Sequence, residues 1–387
     1  MVFVFRFTSL LLMGLSISLT AYANGETSIS LLPKFQVDIP QDYEIKQIAI
    51  DGERMAVGVC DRFPSGSGRG AVHLVMRDGR EWKKTSMVQL DHDLSQTFGC
   101  SVAISGDLLV VGEVDFAKKN GSGAVHVFRL QNGEWNKEST IPFPRSSNHW
   151  LTGFGENIAI HNGDIIVSAH VYWAGFLSGR KTSGEVYLFR KIGKNWSLKQ
   201  TLIPFENRDA HSFGESLSLS NDMLAIGSAR NVQSGVVYLF QNRGGKWVAL
   251  DSLSPPQEKV FNFGHKIAAS NNYLVSSDHD EPVYIYSRQS EKFDYDSTIV
   301  PIDANDKYVG ALACDKMVAI QGVNKLENKE TYFVDMFEKR NNIWEKKARL
   351  TSQLAKSRWI APYACMKENL ILGDVQGNIY VVESLLM

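Results

Sequence analysis

Apolar and polar residues alternate along most of the chain in short runs with the two-residue period of strands. The clearest stretch is Phe98-Gly99-Cys-Ser-Val-Ala-Ile-Ser-Gly-Asp-Leu-Leu-Val-Val-Gly112, two apolar runs split by Ser105-Gly106-Asp107. Two such runs around a Gly-containing turn predict a β-hairpin. The pattern recurs from Phe154-Gly155 to Ser168, from Phe213-Gly214 to Gly227 and from Phe263-Gly264 to Ser277. Weaker copies run from Val309-Gly310 to Ile320 and from Ile360 to Gly373, and a degenerate first copy runs from Ile45 to Gly58. A loop, in most copies rich in Gly and Ser, and a third apolar run follow each hairpin. A Gly or Asn turn then leads to a fourth run. In six copies an aromatic opens that run: Trp82, Trp135, Trp196, Trp247, Phe293 and Trp344. Aromatics at one fixed repeat position are expected to be core residues packed between sheets.

Four antiparallel strands per repeat of about 50 residues is the blade of a β-propeller. Seven hairpin units are present, but the last one reaches the C-terminus after its third strand. A spare strand lies at residues 31–40, with Phe35 where other blades carry Trp. The predicted fold class is all-β: a seven-bladed β-propeller of four-stranded antiparallel blades. The ring is closed by the N-terminal strand, 31–40, which completes blade seven and leaves no open sheet end. The blades fall at about 43–93, 94–148, 149–208, 209–258, 259–304, 305–355 and 356–387, by repeat length.

The first 23 residues read as a secretory signal peptide. Arg6 precedes an apolar stretch that ends in Ala21-Tyr22-Ala23, an A-x-A site with cleavage expected after Ala23. Removing 23 of 387 residues leaves a single propeller domain, 24–387. No later stretch approaches the roughly 20 apolar residues of a spanning helix, so no membrane span is expected after cleavage. The protein is expected in the periplasm or outside the cell. Export makes the four cysteines candidates for disulfides. Cys60 follows the second strand of blade one and Cys100 precedes the first strand of blade two, on one face of adjacent blades. Cys314 and Cys365 hold equivalent places in blades six and seven. The expected bonds are Cys60–Cys100 and Cys314–Cys365.

The recurring Phe-Gly, the hairpin core around Val102–Gly112 and the following Gly-Ser-Gly-Ala-Val at 121–125 resemble FG-GAP repeats. Such repeats build the seven-bladed propeller of integrin α-chain heads and of many exported microbial proteins. The resemblance implies an extracellular binding or adhesion propeller rather than an enzyme. Several family members carry a D-x-D-x-D-G calcium loop, which wraps a hard cation in oxygens. No such run occurs here. The nearest candidates are Asp278 and Asp280, so no cofactor is expected and calcium is left as an open alternative.

Charge narrows the partner. Lys plus Arg number 41 against 42 Asp plus Glu, a net charge of −1. A nucleic-acid partner is not expected, because duplex binding needs clustered cations. No H-E-x-x-H, paired C-x-x-C, G-x-S-x-G or P-loop occurs, and the chain is expected not to be an enzyme. Function should lie in the loops of one face. The blade-three loop between second and third strands is the longest and carries Tyr172, Trp173 and Phe176 beside Arg180 and Lys181. Arg62 and Arg69 of blade one and Asp115 of blade two would complete a mixed-charge rim. Aromatics beside donors suit a protein anchor or stacking on a sugar face. The expected partner is a protein or a glycan on a surface, and oligomeric state is left open. A carbohydrate-binding propeller is the alternative. A polysaccharide lyase or glycosidase would need paired carboxylates or a His/Tyr/Arg cluster on the loop face. Asn120 and Asn195 match the N-glycosylation pattern.

Overall fold

The computed structural model describes residues 18–21, 27–31, 34–40, 43–61, 69–90, 97–114, 123–144, 151–171, 183–205, 212–229, 234–257, 260, 262–277, 282–326, 329–352, 359–366 and 369–382. Among them there is no helix, and the strands form seven antiparallel blades. The fold class is that of a seven-bladed β-propeller. The chain divides into two units, 39–267 and 1–38 with 268–387.

The unit 39–267 holds blades one to four. Blade one is Glu44–Asp51, Arg54–Cys60, Ala71–Asp78 and Glu81–Val88. Blade two is Ser101–Ser105, Leu108–Val114, Gly123–Gln131 and Glu134–Pro142. Blade three is Ile158–His161, Asp164–Val171, Glu185–Ile192 and Asn195–Leu202, with Leu151–Thr152 added beside the end of its second strand. Blade four is Ser216–Ser220, Met223–Ser228, Val236–Arg243 and Lys246–Leu253. Tight turns at Asn132-Gly133, Asn162-Gly163 and Gly244-Gly245 have both residues at positive φ. That is the twist-matched hairpin turn, which Asn and Gly enter most easily.

The core lies between neighbouring sheets. Val110, Val125 and Val127 of blade two face Ile165, Val167, Tyr187 and Phe189 of blade three. Ile166 and Leu188 on the other side of blade three pack with Leu224, Tyr238 and Phe240 of blade four. The repeated Phe-Gly sets this stacking. Phe98, Phe154 and Phe213 are fully buried and meet Phe128, Phe189 and Phe240 of their own blades edge-on, at 6.2–6.3 Å between centroids. The glycine that follows each of them is left-handed, with φ of 88° to 92°. The carbonyls of Gly99, Gly155 and Gly264 rest against a glycine on the previous blade, whereas Gly214 lies against Ser168. A Cβ on Gly112 would stand 2.1 Å from the Gly155 oxygen, and one on Gly227 would stand 1.9 Å from the Gly264 oxygen. The residue three after the Phe then reaches the next blade. Ser101 Oγ donates to the Gly155 carbonyl, Asn157 Nδ2 to the Gly214 carbonyl at 3.1 Å, and Ser216 Oγ to the Gly264 carbonyl at 2.7 Å. Between blades one and two a covalent bond is added. Cys60 and Cys100 form the expected disulfide, with Cα atoms 5.2 Å apart.

The second unit holds blades six and seven and nearly all of blade five. Blade five is Lys266–Ala269, Tyr273–Ser277, Val283–Gln289 and Lys292–Ile299. Blade six is Asp306–Ala313, Met317–Leu326, Lys329–Arg340 and Ile343–Ser352. A buried ionic cluster ties its strands together. Arg349 donates to both Asp335 oxygens at 2.7 Å and to Asp306 Oδ2 at 2.7 Å. Its guanidinium lies 3.6 Å from the Phe333 ring centroid, a cation–π contact. Thr27–Leu31 runs parallel to blade six's outermost strand, and Ser18–Ala21 pairs antiparallel to Thr27–Leu31.

Blade seven is Trp359–Met366, Asn369–Asp374, Asn378–Val382 and Phe35–Gln36. The N-terminal strand thus supplies the fourth strand of blade seven, and Lys34 N to Ile379 O and Val37 N to Gly377 O extend its ladder. Leu31 belongs instead to the strand beside blade six. Cys314 and Cys365 form the second expected disulfide, with Cα atoms 5.9 Å apart.

Candidate functional site

Antiparallel order puts every loop between second and third strands at one end of its blade. Of the residues expected to form a binding rim there, Arg62, Asp115, Tyr172, Trp173, Phe176, Arg180 and Lys181 lie outside the described residues, as do Asp278 and Asp280. Arg69 is described and is exposed just ahead of Ala71–Asp78. At this end of blades two to five the described residues include three His–carboxylate pairs that sequence reasoning missed. His126 Nε2 is 2.7 Å from Glu113 Oε2, His170 Nε2 is 3.4 Å from Glu156 Oε2, and His265 Nε2 is 3.5 Å from Glu215 Oε1. Glu156, Glu215 and His265 each follow a Phe-Gly, the position of Cys100 in blade two. The register of the Phe-Gly turn was the signal available. His126 is a buried strand residue, as its repeat position predicts, and also accepts this polar role.

The other end of the blades carries the hairpin turns. Between blades two and three these turns line a groove of about 480 Å³. One wall is Ser105–Leu108 with Arg129; the other is Asn162–Asp164 with Arg190 and Lys191, and Trp196 lies in the groove. Its charges are matched. Arg129 Nη1 donates to Asp107 Oδ1 at 2.7 Å and Arg129 Nε to Glu138 Oε2 at 3.1 Å. Arg190 spans both Asp164 oxygens, at 2.8 and 2.5 Å. Glu138 also accepts from Lys191 Nζ at 2.7 Å and from the Trp196 indole N–H at 3.0 Å. Burial works against the Glu138 carboxylate, but hydrogen bonds from Lys191, Trp196 and Arg129 outweigh it and hold its pKa below the ordinary value. Burial likewise opposes the charge of Arg129, and its bonds to Asp107 and Glu138 reverse that and raise its pKa. Among the described residues no group of three or more His, Cys, Asp or Glu is placed to hold a metal ion.

Comparison with known proteins agrees with this architecture. Residues 83–128, from the last strand of blade one to the third strand of blade two, match the family model of the FG-GAP repeat. The chain is therefore a β-propeller that carries an FG-GAP repeat. Its backbone is similar to a solved structure from Bacteroides fragilis NCTC 9343, a candidate 6-phosphogluconolactonase. The TM-score is 0.52 at 13% identity, covering 90% of this chain and 94% of that one. A second candidate 6-phosphogluconolactonase, from Bacteroides uniformis ATCC 8492, aligns with TM-score 0.51 at 10% identity, over 87% of this chain and 92% of that one. Likeness at such identities is one of fold. No curated protein matches the chain.

Proposed function

We propose that the protein is an exported, non-catalytic binding propeller that engages a protein partner on a surface through the loops between second and third strands. The FG-GAP repeat within a seven-bladed fold carries this reading, since that combination favours an interaction module. Two disulfides fit an extracellular or periplasmic location. No helix among the described residues is long and apolar enough to cross a membrane. Two candidate lactonases at 13% and 10% identity give an enzyme reading no support. A carbohydrate-binding propeller is the second reading, favoured by the aromatics Tyr172, Trp173 and Phe176 in the blade-three loop.

The test is binding of labelled chain to the surface of the cells that produce it. Binding lost after protease treatment and kept after periodate oxidation is the expected result. Binding that survives protease and is lost after periodate would move the carbohydrate reading ahead. No binding to either surface would overturn both.

A further inference from the structure

The aromatic that opens the fourth strand is buried in some blades and half-buried in others: Trp82, Trp247 and Phe293 are buried, whereas Trp135, Trp196 and Trp344 are half-buried. In blade four Trp247 is 1% exposed. It is covered by His161, the last residue of blade three's first strand, whose ring meets the indole edge-on at 5.1 Å. The His161 ring is held there by Asp222 at 3.1 Å and by Asn162 at 3.0 Å. One blade earlier the equivalent pair is Ser105 and Trp196. The equivalence is set by register: Ser105 pairs with Leu108 as His161 pairs with Asp164, and Trp196 pairs with Lys191 as Trp247 pairs with Asn242. Serine is too short to cover an indole. The groove of about 480 Å³ opens at this point and Trp196 is only half-buried.

We propose that this groove is a binding site for a neutral oligosaccharide, independent of the loop-face reading above. Three features select the ligand. The volume is within the range of small-molecule sites. Trp196 offers an aromatic surface of the kind that packs on the apolar face of a sugar ring. Around it, Arg129, Arg190 and Lys191 are matched by Asp107, Asp164 and Glu138, each cation lying within 3.1 Å of a carboxylate. A phosphate or carboxylate ligand would meet three carboxylates that already neutralise these cations, and would be repelled by them. Hydroxyl groups need displace none, because a guanidinium has five N–H groups and a carboxylate about four lone-pair sites. Arg129 uses its Nε and Nη1 on Asp107 and Glu138. The remaining donors and acceptors, with the Asn162 amide, form a polar border suited to vicinal hydroxyls.

The probes are maltotriose, cellotriose, mannotriose, xylotriose and N,N′,N″-triacetylchitotriose, with trigalacturonate as the anionic comparison. Each is titrated into the disulfide-bonded chain by calorimetry and saturation-transfer NMR. At least one neutral trisaccharide is expected to bind, with a Kd of about 1 mM, an affinity ordinary for a shallow polar site. Ser105→His, which places the blade-three cover over Trp196, should weaken that binding about tenfold or more while leaving the melting temperature unchanged or higher. Trp196→Phe tests the same contact if the histidine variant fails to fold, and should weaken binding without loss of structure. The proposal is overturned if no neutral trisaccharide binds at about 20 mM, well above the expected Kd. It is also overturned if trigalacturonate alone binds, or if binding is unchanged in both variants. These outcomes do not depend on the cell-surface experiment, in which neither variant is used.

Discussion

Gly112→Ala should destabilise the protein by about 2–5 kcal/mol, although it adds only one methyl group. Gly112 lies in a strand and is buried, and its φ is not left-handed, so backbone conformation does not require glycine there. Freed of contacts, the change would stabilise by about 0.4–1 kcal/mol through the unfolded chain. The new Cβ would instead stand 2.1 Å from the Gly155 oxygen and 2.2 Å from Ser101 Oγ. These two atoms are also the acceptor and donor of the hydrogen bond that joins blade two to blade three. Relief requires the Phe154-Gly155 turn to retreat, which leaves both polar atoms buried at about 1–3 kcal/mol. Overpacking adds about 1–3 kcal/mol. Gly133→Ala is the control. Gly133 has φ of 85° and nothing within 4 Å of an added Cβ, so it should cost only the left-handed penalty of about 1–2 kcal/mol. Equilibrium urea unfolding of the oxidised proteins, followed by tryptophan fluorescence and far-UV circular dichroism, measures both. A Gly112→Ala protein within about 1 kcal/mol of the parent, or no weaker than Gly133→Ala, would refute the blade-to-blade lock.

The disulfides, the ionic cluster of blade six and a buried tyrosine give further expectations. Native protein should show no titratable thiol, and opening either disulfide by a double Cys→Ser change should cost about 4 kcal/mol, since the bonds span 40 and 51 residues. Four reactive thiols in the unfolded, unreduced chain would refute both bonds. Arg349→Met should cost about 3–5 kcal/mol in urea unfolding, because Asp335 and Asp306, 1% and 5% exposed, would lose the guanidinium they share; a loss below about 1 kcal/mol would show the cluster to be dispensable. Burial, helped by the charge of Asp61, pushes Tyr43 up to about 12 from 10.0. Its stabilising effect is therefore complete below pH 10.0 and declines as pH rises toward 12. Tyr43→Phe should be neutral at pH 7 and lose less melting temperature than the parent across that alkaline window; parallel declines would contradict this.

The features legible in the sequence are those that repeat locally. The hairpins, the Phe-Gly turns and the aromatic positions recur at nearly constant spacing, and each needs only neighbours within its own blade. The cysteine pairs followed because strand order alone puts their positions on one face. What stayed illegible depends on register between blades. Asp306 and Arg349 are 43 residues apart and on strands that are not neighbours in the sheet, so no local pattern joins them. The N-terminal segment shows the same limit. Residues 27–40 carry two short strand patterns around Pro33, which has no N–H to give to a ladder. Periodicity cannot say which outer edge each half will choose. Thr27–Leu31 lies beside blade six and Phe35–Gln36 completes blade seven.

Repetition also changes how a candidate site should be sought in such a fold. A feature shared by several blades answers to packing, as the left-handed glycines at 99, 155, 214 and 264 of blades two to five do. A feature present once has no packing reason that its sister blades share. Cys100 stands where blades three to five carry Glu156, Glu215 and His265, and its bond to Cys60 replaces polar contacts with a covalent one. Ser105 stands where blade three carries His161, and a groove opens beside Trp196 where the next blade is closed. The first departure is explained by the stability it adds. The second leaves an indole half-buried, which at about 25 cal/mol per Å² is unfavourable for folding. Ser220 of blade four is also a serine, and Trp135 and Trp344 are half-buried as well, so it is the matched set of donors and acceptors beside Trp196 that marks this groove as a place where a ligand supplies the missing contact. Placing a histidine at position 105 separates the two explanations, because stability should rise as binding falls.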